Sequence, residues 1–201
     1  MATSVELARA VAAAFGLAEK TVLLHLKHVR PAGAITFKGH GKGAAAMTAR
    51  DAAGLVIAVA GSAYAANAAT TYRDFAGLKM LSGAAVTLDR HLEWLIERLR
   101  VGDSFRPPSG APEFPGHRNV LAEACLKLTW VDGATGEERP RIATVRHFLP
   151  GGGHTQRTFA SESLAKGYYD EARLMQEYRG VRMTTTRAIS LRALEQVAAS
   201  L

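Results

Sequence analysis

Apolar side chains recur every three to four positions over about the first hundred residues. Beyond residue 118 they alternate with polar ones, so the chain reads as a helical part followed by a part that mixes strands with helices. Thr3 and Glu6 have the capping-box spacing of a helix start, and Val5, Ala8, Ala12 and Phe15, widened by Leu7, Val11 and Ala14, form its apolar stripe. Gly16 stands where a left-handed C-terminal cap is wanted. After a break at residues 17–20, Val22, Leu26 and Val29 predict a second helix, stopped by Pro31 because the residue before a proline avoids helical geometry. Ile35 and Phe37 then predict a strand entering a glycine-rich hairpin at residues 39–43.

A third helix is expected to open at Thr48, with Asp51 three residues on, and to run into the uncharged stretch 52–72. That stretch is long enough to span a bilayer, but its alanines, glycines, Ser62, Asn67 and Thr70 keep it weakly hydrophobic, so a buried central helix is expected and no membrane partner. Thr87 opens another helix, with Leu88, Leu92, Leu95, Ile96 and Leu99 along one side and His91, Trp94 and Arg98 on a neighbouring face. Four prolines and three glycines make residues 101–118 a connector. Beyond it, Val120 to Trp130 and Ile142 to Phe148 alternate as the two arms of a long hairpin, residues 155–159 suggest a third strand, and Tyr168, Tyr169, Ala172 and Met175 a short helix. A strand is expected within residues 180–189, then a terminal helix capped by Ser190.

The segment TVLLHLKHVRPAGAI followed by GHGKG resembles the winged helix-turn-helix superfamily of bacterial DNA-binding proteins, over the first fifth to quarter of the chain. In that family the second helix enters the major groove and the wing touches backbone or minor groove. The resemblance puts Thr21, Leu23, Leu24, His25 and His28 toward the groove, Lys20, Lys27 and Arg30 near phosphate, and Lys38, His40 and Lys42 on the wing. Leu23 and Leu24 stand where such proteins more often carry polar residues, and leucine cannot form bidentate bonds to base edges. The helix that usually opens such a bundle does not precede residue 3, and the helix from Thr48 is expected to replace it. The expected fold class is therefore α+β: an N-terminal winged helix-turn-helix bundle (1–80), a connecting or dimerisation helix (86–100), a linker (101–118), and a smaller α+β domain with an antiparallel hairpin (119–201).

Charge agrees with a polyanionic partner. The chain carries 25 basic and 18 acidic residues, a formal charge of +7, and its pI is about 9.9. The excess is front-loaded: up to Asp51, seven basic residues (Arg9, Lys20, Lys27, Arg30, Lys38, Lys42, Arg50) face three acids (Glu6, Glu19, Asp51). Later arginines, including Arg141, Arg146, Arg157 and Arg187, are expected on a solvated surface.

Other chemistries find little support. The run GHGKGAA lacks the spacing and the Ser or Thr of a phosphate-binding loop. Cys125 is the single cysteine, expected as a buried thiol, and His147 and His154 have no standard metal-ligand spacing. Residues 161–163 lack a nucleophile elbow. No catalytic residue, metal or cofactor is expected. With one cysteine and no basic-then-apolar opening, the expected location is the cytoplasm. The expected partner is double-stranded DNA, bound by a transcriptional regulator, with homo-oligomerisation supplying a second half-site. Alternatives are a phage or mobile-element packaging or replication protein, and a non-DNA adaptor docking a protein on the helix pair.

Overall fold

A computed structural model of the chain describes residues 2–37, 45–81, 85–103, 105, 124–131, 141–148, 154–162 and 184–201. They form a mixed α+β fold with six α-helices: α1 (Ser4–Phe15), α2 (Glu19–Val29), α3 (Ala49–Gly61), α4 (Ala68–Ala76), α5 (Leu88–Arg100) and α6 (Leu191–Ala199). One antiparallel sheet contains β1 (Lys79–Met80), β2 (Ala124–Val131), β3 (Arg141–Phe148), β4 (His154–Ala160) and β5 (Thr184–Ser190), in the order β1-β4-β3-β2-β5.

Three helix starts, those of α1, α3 and α6, carry side-chain caps. Thr3 and Glu6 close a full capping box on α1, which ends at Gly16 with φ 65°. Thr48 and Asp51 close a second on α3. The Asp51 carboxylate also accepts from the Thr36 amide at 2.6 Å, so a buried acid fastens the chain before α3 to the start of that helix.

Every residue of α3 except Arg50 is buried, because α1, α2, α4, α5, α6 and β5 all pack around it. Its two glycines make room. A Cβ on Gly54 would lie 2.5 Å from the Ala34 carbonyl oxygen, and one on Gly61 2.5 Å from Thr71 Cγ2. The helix ends at Gly61, so the uncharged stretch is α3, a 3-10 turn (Ala65–Asn67) and the start of α4. Among the described residues no helix is long and apolar enough to cross a membrane.

The predicted hairpin is β2–β3, paired from Leu126↔Val145 to Trp130↔Arg141, and β4 continues the meander. β5 joins the free side of β2 and β1 the free side of β4. The strand expected at Ile35 and Phe37 is not formed. Ala34 and Ile35 are buried in irregular chain, and the Thr36 amide bonds Asp51 instead of a neighbouring strand. The short helix expected near Tyr168 lies outside the described residues.

One hydrophobic cluster runs through the segments that the sequence divides at residues 80–118. It joins Leu7 and Val11 of α1 to Leu92 and Ile96 of α5, Leu126 and Leu128 of β2, and Leu194 and Val197 of α6. α6 lies against both α1 and α5. Arg141 and Arg187, expected in solvent, instead turn toward the helices. Strand alternation puts them on the same sheet face as Trp130, where Arg141 reaches Asp74 at 3.6 Å and Arg187 lies 5.9 Å from the Trp130 ring.

Candidate nucleic-acid interface

The chain turns from α1 into α2 through Gly16, Leu17 and Ala18, and Arg9 of α1 pairs with Glu19 of α2 at 2.9 Å. α2 buries Val22, His25, Leu26 and Val29, an i, i+3, i+4, i+7 set. Lys20, Leu24, Lys27 and His28 are left exposed on the opposite side, with Pro31 just past the helix end. Leu24, 43% exposed, sits at the centre of this surface between the two lysines. Lys20 and Lys27 have no carboxylate partner among the described residues, and Glu19, next to Lys20 in the chain, is paired with Arg9.

Of the residues expected at the groove, Thr21 is half-buried at the margin of this face, and Leu23 is half-buried against the core. His25 is corrected outright. It is 2% exposed, with Nδ1 2.8 Å from the Thr21 carbonyl oxygen and Nε2 3.1 Å from Ser62 Oγ. Such a ring cannot reach a base edge without leaving the core. The sequence carries the signal, because His25 completes the apolar spacing of Val22, Leu26 and Val29, whereas its partner Ser62 is 37 residues away and has no local signature. Arg30, expected near phosphate, is half-buried and turned back on the molecule: Nη2 donates to Ser4 Oγ at 2.7 Å, and the guanidinium lies 5.2 Å from the Phe37 ring. It ties the end of α2 to the start of α1.

Lys38, His40 and Lys42 of the expected wing lie outside the described residues. The chain on either side is held to the body, by the Thr36–Asp51 bond and by the Met47 amide, which donates to the Ala2 carbonyl at 2.9 Å.

No protein-family model, curated protein or solved structure matches the chain. Away from α2, Cys125 is buried, and desolvation, with Glu195 nearby, pushes its thiol up to about 12, far from nucleophilic use near neutral pH. A second unusual site escapes sequence reading: His91 of α5 and His147 of β3 meet Trp94, Phe105 and Phe159 in one aromatic cluster. Among the described residues no group of three or more His, Cys, Asp or Glu side chains could hold a metal ion.

Proposed function

We propose that the chain binds double-stranded DNA through the outer face of α2 and acts as a transcriptional regulator. The observation that carries this reading is the exposed pair Lys20 and Lys27, two turns apart on one helical face, flanked by His28 and left without carboxylate partners among the described residues. Two unneutralised ammonium groups 7 residues apart on a rigid helix suit adjacent phosphates, which bind chiefly by releasing counterions. α3 packs on both α1 and α2, which supports a helix-turn-helix unit whose third helix follows the pair in sequence. The wing residues Lys38, His40 and Lys42 extend the same cationic segment in sequence.

With His25 inside the core and Leu24 in the middle of the face, few groups remain that can form bidentate bonds to bases. Binding is therefore dominated by phosphate and only weakly selective among sequences. The exposed Leu24 favours a second reading, in which the same face docks a protein.

The test is duplex binding measured by fluorescence anisotropy on a random duplex across a salt series. Log affinity falls linearly with log salt, and Lys20→Ala with Lys27→Ala reduces the slope by about 1.8, at about 0.9 for each phosphate no longer neutralised. Absence of binding at low salt, or an unchanged slope in the double variant, overturns the DNA reading. Binding weakened by Leu24→Ala with the salt slope kept would mark an apolar contact instead.

A further inference from the structure

A cleft of about 450 Å3 lies where the last turn of α1, the C-terminal half of α3, β5 and the start of α6 meet. Small side chains create it: Ala14, Ala60 and Ala193 stand where larger residues would close the gap, and Phe15 and the exposed Leu17 line it on the α1 side. Its volume lies within the ordinary range of small-molecule sites.

The one charged group lining this cleft is Arg187. Its Nη1 donates to the Ser62 carbonyl oxygen at 2.9 Å and, at 3.4 Å, to that of Val59, so one corner of the guanidinium is fastened to the C-terminal end of α3. The Trp130 ring stands 5.9 Å away. Neither Nε nor Nη2 has a partner among the described residues, and neither is enclosed. The free edge of a guanidinium fixed in this way is preorganised for two parallel bonds to a carboxylate. Ser190 lines the same cleft and caps α6 through the Ala193 amide, so the positive end of that helix also borders the cleft.

We infer that this cleft binds a monocarboxylate with a medium-sized apolar body, the carboxylate on Arg187 and the body against the alanines and Phe15. A single guanidinium matches one negative charge, whereas a phosphate dianion would need further cations that the lining does not supply. The site is independent of the DNA reading, and either can fail without the other.

The full chain is titrated with octanoate, with 1-octanol (same body, no charge) and with acetate (same charge, no body), followed by calorimetry and by thermal unfolding. Octanoate binds saturably at least about tenfold more tightly than either control, and Arg187→Gln weakens it by at least about tenfold. Ala14→Phe, which fills the cleft from the half-exposed side of α1 and leaves Arg187 in place, also abolishes binding while the fold is kept by circular dichroism. Equal binding of octanoate and octanol, no saturable octanoate binding in the low millimolar range, or full binding retained in the folded Ala14→Phe variant overturns the inference.

Discussion

His91 and His147 lie with ring centroids 6.3 Å apart and planes 25° from parallel, and among the described residues neither Nε2 has a hydrogen-bond partner. His147 Nδ1 is 3.0 Å from the Phe148 carbonyl oxygen, so that nitrogen carries the proton and Nε2 presents a bare lone pair inside the aromatic cluster.

This pair makes stability depend on pH. Burial holds His91 down at about 4, assisted by repulsion from His147 and Arg157, and burial also lowers His147, with its bond to the Phe148 carbonyl opposing the shift. The unfolded chain takes up both protons near the ordinary histidine value, so between there and about 4 it binds more protons than the folded chain. The contribution is fully present above about pH 6.5 and is lost as pH falls, with a slope of at most about 1.4 kcal/mol per pH unit for each ring. Residual exposure of His91 reduces it. Glu6 and Glu97 are also held low, by Thr3 and by Arg100, but they act below the ordinary carboxylate range. Urea midpoints at pH 7.5, 6.5 and 5.5 therefore isolate the histidines: wild type weakens over this series, and His91→Phe with His147→Phe flattens it. Equal slopes in both proteins would refute the assignment.

Small side chains set the tolerance of α3. Gly54→Ala drives a methyl group against the Ala34 carbonyl, which belongs to the backbone and cannot swing aside. A loss of about 1–3 kcal/mol is expected, the usual cost of overpacking. Gly77 has φ −83° and its nearest neighbour to an added Cβ is Arg73 O at 4.0 Å, so Gly77→Ala is neutral or mildly stabilising. Chemical denaturation of the two variants checks the contrast, and an equal effect of both would contradict the packing described.

Asp51 is expected to matter more than Thr3, although both belong to capping boxes. The Thr3 box is exposed, and Thr3→Ala costs about 1 kcal/mol. Asp51 is 1% exposed and accepts from the Thr36 amide, the Thr48 amide and the Thr48 hydroxyl. Asp51→Ala strands all three donors, with a loss of about 2–4 kcal/mol expected, and increased hydrogen exchange at the Thr36 amide distinguishes release of that segment from general loosening. Equal destabilisation by the two variants, with Thr36 still protected, would exclude the linking role.

What was legible in the chain is local. Capping pairs Thr3–Glu6 and Thr48–Asp51, the αL Gly16 and the Ser190 cap all depend on neighbours within a few residues, and the structure has each of them. β2 and β3 form as strands, but burial does not alternate along them, because Cys125, Thr129, Ile142 and Thr144 are buried on the second face as well. What was not legible depends on pairing at a distance. The addition of β5 to β2 and of β1 to β4, the packing of α6 on α1, and the turning inward of Arg187 depend on contacts across the chain that periodicity does not encode. In the candidate interface, the exposure of Lys20 and Lys27 follows from spacing, and the same spacing marks His25 as a core position. The family-like placement of His25 near bases fails because Ser62 and the Thr21 carbonyl satisfy both ring nitrogens inside the protein.

That last contact separates folding from binding. His25 Nδ1 faces a carbonyl and so donates, which leaves Nε2 to accept. The Ser62 hydroxyl has two acceptors within reach, His25 Nε2 at 3.1 Å and the Ala58 carbonyl oxygen at 2.9 Å, and its single proton serves one at a time. Ser62→Ala removes both options and leaves Nε2 buried without a donor, at a cost of about 1–3 kcal/mol. For a chain of this size that corresponds to a fall in Tm of roughly 2–12 °C. The Ser62 carbonyl still accepts from Arg187, and the outward face of α2 is untouched, so the salt slope of duplex binding stays at its wild-type value below the new Tm. A stable Ser62→Ala variant would show that the Ser62 proton rests on the Ala58 carbonyl, or that the His25 ring has another donor. A changed salt slope at unchanged stability would put His25 or Ser62 among the groups that meet the phosphates, against their burial.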